Sequence, residues 1–141
     1  MECKSSLDRR MFLTGASASL AVAGLASVVK PAVSDARTLS VAAIGHTGRG
    51  NFGHGLDTVW LHNPDTTVVA AADPDAAGLA KELKKLKIDR GFADYRKMLA
   101  DVKPDIVAVC PRHADQHRDM VVACAEAGVK GVYIEKPFCR T

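Results

Sequence analysis

Residues 40–55 read SVAAIGHTGRGNFGHG. A run of small and branched apolar residues stops at Ile44, and glycines follow at positions 45, 48, 50, 53 and 55. A short apolar run closed by glycine predicts a buried β-strand that ends in a tight turn. A G-x-G-x-x-G pattern between a strand and a helix brings bare backbone N–H groups and a helix N-terminus against a pyrophosphate. Two registers fit. In Gly45-His46-Thr47-Gly48-Arg49-Gly50, Thr47 stands where the middle glycine is usual. Gly48-Arg49-Gly50-Asn51-Phe52-Gly53 fits literally but starts three residues beyond the strand. The strand's end at Ile44 favours the first, with Gly48 easing the crowding at Thr47. Gly45, His46, Thr47, Gly48, Arg49 and Gly50 are then the candidate cofactor contacts. Gly53 and Gly55 fall within an expected helix over Asn51–Leu61, packed on the sheet. A glycine cluster alone is weak evidence, because loops without ligands carry it too.

Further along, TTVVAAAD (residues 66–73) reads as a second buried strand. Asp73 is expected to cap a helix over Pro74–Leu86, with Pro74 in its first position. Phe92-Ala93 is a short third strand, Tyr95–Ala100 a short helix and PDIVAVC (residues 104–110) a fourth strand. Asp115–Ala127 is a helix closed by Gly128, and GVYIE (residues 131–135) is a fifth strand. Strands and helices alternate, and the strands are continuous apolar runs, as when both faces are covered. The expected fold class is α/β, a Rossmann-like doubly wound parallel sheet of order 3-2-1-4-5. Asp73 ends the second strand, 23 residues beyond Gly50. A carboxylate there accepts hydrogen bonds from the adenosine ribose hydroxyls and repels a 2′-phosphate, which favours NAD over NADP.

The chain has 141 residues, a net charge of +3 and a hydrophobic content of 48%, which bounds it to one globular domain. KELKKLKIDR (residues 81–90) reads as the solvated side of a helix, so no nucleic-acid face is expected. Cys3, Cys110, Cys124 and Cys139 match no metal spacing, and no other ligand pattern appears, so no metal site is expected. Cys110 and Cys124 lie in apolar runs and read as small core residues.

The N-terminus combines Arg9-Arg10, a weakly apolar run from Leu13 to Val29 and small residues near Ala36. That is the layout of a secretory signal. DRRMFL (residues 8–13) resembles the twin-arginine motif, with Asp8 in place of Ser or Thr. Residues 1–36 are therefore expected to be a twin-arginine signal and linker, and residues 37–141 the folded domain. The export machinery is an expected partner, and the destination is periplasmic or otherwise extracytoplasmic.

YIEKPF (residues 133–138) after ACAEAGVKGV, together with VVAAADPD and YRKMLADVKPDIVAVCP, resembles the Gfo/Idh/MocA family, relatives of glucose–fructose oxidoreductase and inositol dehydrogenase. The resemblance spans Thr38–Thr141 and implies the nucleotide-binding domain of an oxidoreductase that moves a hydride between nicotinamide and a sugar or polyol. It implies Lys136 as the catalytic and substrate-contacting residue, with Glu135 orienting it beside the cofactor. His117 matches a histidine at the start of the following helix in relatives and is expected to line the cofactor or substrate cleft as a substrate-binding residue, or else is a plain helix-start residue. CPRHADQH is two residues longer than the usual T-P-x-x-x-H, which weakens any transfer of roles to Cys110, Pro111 or His113. Relatives carry a second domain that supplies most substrate contacts. The chain stops four residues after Pro137, so the expectation is a truncated domain without that module. The alternatives are a non-catalytic dinucleotide- or partner-binding module, or an inert truncated product.

Overall fold

The structure, a computed structural model, describes residues 37–140. The expected export signal lies outside the described residues. Strands β1 (Leu39–Ile44), β2 (Thr66–Ala72), β3 (Gly91–Phe92), β4 (Ile106–Val109) and β5 (Gly131–Ile134) form one sheet. Its order is β3-β2-β1-β4-β5, and every pair is parallel. This is the doubly wound α/β architecture expected from the sequence.

The pleat of β1 explains both layers of the core. Ala42 and Ile44 point to one face, where they pack with Ala70, Ala72, Val107, Met98, Leu99, Met120 and Cys124. Helices α2 (Tyr95–Val102) and α3 (His117–Glu126) cover that side. Ala43 points to the other face with Phe52, Leu56, Val68, Ala71, Ala108 and Cys110, beneath α1 (Ala76–Leu86). Small alanines in the central strands let the helices approach closely, and the larger side chains come from the helices and the glycine-rich segment. Truncating a buried side chain such as Met98 to Ala costs roughly 2–5 kcal/mol.

Two expectations are corrected. Residues 51–58 form turns rather than a helix, followed by a short 3-10 helix, Val59–His62. Gly53 has φ +65° and Gly55 φ +89°, which an α-helix does not accommodate. The cap of α1 is Asp75, whose Oδ1 accepts from Gly78 N at 2.6 Å, so Asp73 and Pro74 precede the helix. The reason lies in where the Asp73 carboxylate points, described below.

Asp105 joins β1, β4 and β5 at the end of the sheet where the strands begin. It is buried and accepts from Lys130 Nζ (2.8 Å), Ser40 N (3.0 Å) and Ser40 Oγ (2.8 Å), and it pairs with Arg37. These donors, Lys130 foremost, hold its carboxyl far below the ordinary aspartate value. No helix among the described residues is long and apolar enough to cross a membrane.

Candidate functional site

The candidate site lies at the carboxyl ends of the strands, where β2 and β4 leave β1 in opposite directions. Open α/β sheets bind ligands at this switch point. The glycine turn is anchored there by Gly45 N, which donates to Ala72 O at 2.8 Å. His46 and Asn51 then exchange backbone hydrogen bonds (His46 N to Asn51 O 3.2 Å, Asn51 N to His46 O 3.0 Å) and close residues 46–51 into a small loop. At its tip Gly48 has φ +82° and open space where a Cβ would stand, so its backbone is approachable. At Gly50 a Cβ would strike the backbone of Arg112. Gly48 and Gly50 are thus required for conformation and for close approach, respectively.

Thr47 faces the end of β2. Its backbone N–H donates to both Asp73 oxygens (3.1 and 3.0 Å), and its hydroxyl donates to Asp73 Oδ2 at 2.7 Å. Asp73 Oδ1 also accepts from Asp75 N at 2.9 Å. Asp73 is fully buried. Its carboxylate turns inward onto the glycine turn, which leaves the capping of α1 to Asp75.

The far end of the same segment reaches β5. Glu135 N donates to Val109 O at 3.0 Å, and the carboxylate turns back to accept from Lys136 N at 3.1 Å. Glu135 Oε2 lies 3.0 Å from His54 Nδ1. Burial works against the Glu135 charge, but the His54 imidazole and the Lys136 N–H outweigh it and hold the carboxyl below the ordinary glutamate value. Lys136 is exposed on this turn. His117 is fully buried rather than in a cleft wall. Its Nε2 lies 2.6 Å from Pro111 O and its Nδ1 2.9 Å from Pro137 O, so it ties the Lys136–Pro137 turn to the end of β4.

Across the switch point, the β4–α3 loop is drawn against the glycine turn. His46 Nδ1 lies 2.6 Å from Gln116 Oε1, Arg49 pairs with Asp115, and His113 N and Arg112 Nε donate to the Arg49 and Gly50 carbonyls at 3.3 Å. Below this contact is a cavity of about 200 Å³ lined by Gly45, His46, Asp73, Pro74, Tyr95 and Gln116. A larger cleft of about 850 Å³ opens on the other side of Thr47, against α1. Asp57 and Glu82 are buried in its wall, and Lys85 Nζ pairs with both, though without a directed hydrogen bond to Asp57 Oδ2. Burial and the neighbouring Asp57 carboxylate push Glu82 up to about 7. Burial opposes the charge on Asp57, but contacts with Glu82 and Lys85 keep it below the ordinary aspartate value.

Cys110 and Cys124 are buried core thiols, as expected, and burial pushes both up, Cys124 to about 11. Among the described residues no three His, Cys, Asp or Glu side chains gather to hold a metal. The His54–Glu135, His46–Gln116 and Asp57–Glu82–Lys85 contacts were not foreseen. His54–Glu135, His46–Gln116 and the link from Asp57 to α1 join residues far apart in sequence, whereas Glu82 and Lys85 are i,i+3 neighbours on α1.

Residues 39–141 match the family described as an oxidoreductase family with an NAD-binding Rossmann fold, Gfo/Idh/MocA. No curated protein matches the chain in sequence. A solved probable dehydrogenase from Thermotoga maritima is 26% identical, with a TM-score of 0.60, over 72% of this chain and 29% of that one. The WlbA dehydrogenase from Chromobacterium violaceum, solved with NADH and UDP-GlcNAcA, is 25% identical, with a TM-score of 0.61, over 79% and 31%. Scyllo-inositol dehydrogenase from Lactobacillus casei, solved with NAD(H) and scyllo-inositol, is 23% identical, with a TM-score of 0.63, over 74% and 30%; that likeness speaks for the fold alone. The chain spans less than a third of the length of each of these structures.

Proposed function

The chain belongs to the Gfo/Idh/MocA oxidoreductase family, as its NAD-binding Rossmann domain, and on that premise we propose that it is the nucleotide-binding part of an exported oxidoreductase acting on a sugar or polyol, with NAD favoured over NADP. The observation that carries the reading is the family match across 39–141, joined to a glycine turn that reaches both Asp73 and Glu135. The residues fit a dinucleotide at the tip of the turn. Gly48 offers open backbone beside the end of β1, and Arg49, paired with Asp115, would supply a cation for a pyrophosphate held by the turn itself, since turns rather than a helix N-terminus follow it. The bound nicotinamide would accept or donate the hydride.

The protein's own part is positioning and proton handling. Lys136, exposed on a turn held by Glu135 and His117, hydrogen-bonds the substrate hydroxyl and relays its proton as the carbon is oxidised. His46 and Gln116 flank the cleft at the switch point. Residues 1–36 act as a twin-arginine signal that delivers the folded domain outside the cytoplasm. A route that exports folded proteins suits a domain that takes up its cofactor before export. The second reading is a module that binds a dinucleotide at the same glycine turn without chemistry of its own.

Titrating NAD and NADP against the purified chain tests both readings. Saturable binding, tighter for NAD, is expected, and the absence of saturable binding by both nucleotides rejects both readings. Replacing Arg9 and Arg10 with Lys should block export; unimpaired export would reject the twin-arginine route.

A further inference from the structure

Thr47 occupies a place that deepens the reading of this site. Asp73 stands at the end of β2, where a carboxylate meets the adenosine ribose in dinucleotide-binding sheets. Here it has no exposed surface, and the atom that covers Oδ2 is a hydroxyl, Thr47 Oγ1 at 2.7 Å. The Thr47 N–H approaches both oxygens at 3.0–3.1 Å. The hydroxyl is seated between two elements. A Cβ on Gly78, in the first turn of α1, would fall on Thr47 Oγ1, so residue 78 has no side chain where residue 47 needs room. The arrangement differs from a bare glycine turn by this one inserted side chain.

Resting on the nucleotide-binding reading above, we propose that Thr47 Oγ1 holds the place of an adenosine ribose hydroxyl on Asp73, making Thr47 an internal competitor that sets the affinity and ribose selectivity of the site. A hydroxyl from the ligand and a hydroxyl from Thr47 offer the same donor to the same carboxylate oxygen. Binding through Asp73 therefore requires Thr47 to rotate away and give up its hydrogen bond. Both states leave the buried carboxylate satisfied, so the exchange leaves no unpaired buried charge. The wild-type chain accordingly discriminates weakly between a ribose and a deoxyribose at the adenosine end. Removing the competing hydroxyl and its methyl exposes Asp73 to the ligand.

The experiment measures dissociation constants of NAD and of its adenosine 2′-deoxy analogue by calorimetry. It uses the full chain, Thr47→Gly, Thr47→Ala and Thr47→Ser, each checked for native circular dichroism. Thr47→Gly should bind NAD about tenfold more tightly than wild type, Thr47→Ala should gain in the same direction, and Thr47→Ser should not. The gain should be lost with the 2′-deoxy analogue. Saturable NAD binding by wild type with no gain in folded Thr47→Gly or Thr47→Ala overturns this inference alone. An equal gain for the deoxy analogue does the same. No saturable binding by any of the folded proteins overturns the nucleotide-binding reading along with it.

Discussion

His54 Nδ1 lies 3.0 Å from Glu135 Oε2, a contact that joins the glycine-rich segment to the end of β5 across 81 positions of sequence. Glu135 is buried and also accepts from Lys136 N, so the imidazole steadies the residue from which the exposed lysine projects.

Replacing His54 with Ala should therefore raise the Glu135 carboxyl towards the ordinary glutamate value. The depressed value in the folded protein contributes stability that is present above the ordinary value and is lost as pH falls through the depressed one. His54→Ala should thus be less stable than wild type at neutral pH, with the difference shrinking in acid. Carboxyl carbon NMR titration of Glu135 checks this; an unchanged titration would show that His54 does not hold the charge.

Glu82 gives the opposite sign. Its carboxyl is raised from 4.5 to about 7 by burial and by Asp57, so the folded state binds a proton that the unfolded state releases between those values. Stability should fall as pH rises across that window and level off above it. At about 1.4 kcal/mol per unit, the effect is on the order of 3 kcal/mol at most. Glu82→Gln should flatten the profile and be the more stable protein at pH 8, as read by urea unfolding at pH 5 and pH 8. A wild-type profile that rises over the same range would show that burial beside Asp57 does not raise the Glu82 carboxyl.

Gly53 tests the turn that replaced the expected helix. With φ +65° and the Cys110 carbonyl against the space of a Cβ, Gly53→Ala should lose about 2 kcal/mol or more through backbone strain and contact. A urea midpoint equal to that of wild type would mean that the segment is helical after all.

Cys110 and Cys124 should resist alkylation in the native protein and react on unfolding, because both are buried and burial raises both thiols. Mass spectrometry after brief iodoacetamide exposure, with and without urea, measures this. Rapid native labelling of either would contradict its place in the core.

The centre of the sheet was legible in the sequence because β1 and β4 bury both faces and so read as unbroken apolar runs, Val41–Ile44 and Val107–Val109. The helix over 51–61 was misread because apolar spacing at Phe52 and Leu56 suits a helix, while Gly53, at positive φ, packs against the Cys110 carbonyl and Glu135, which no local pattern reports. Asp73 was placed correctly at the end of β2, but the direction of its carboxylate depends on Thr47, 26 positions earlier. His117 has the same history: its position at the start of α3 was readable, whereas its burial between two proline carbonyls required the fold.

The central claim is that a nicotinamide dinucleotide sits on the glycine turn and extends toward Lys136. Amide chemical-shift mapping on the isotope-labelled chain titrated with NAD tests it most directly. The account predicts saturable shifts concentrated at Gly45, Thr47, Gly48, Gly50 and Lys136. A folded chain whose amides at these positions do not move at saturating NAD would contradict it.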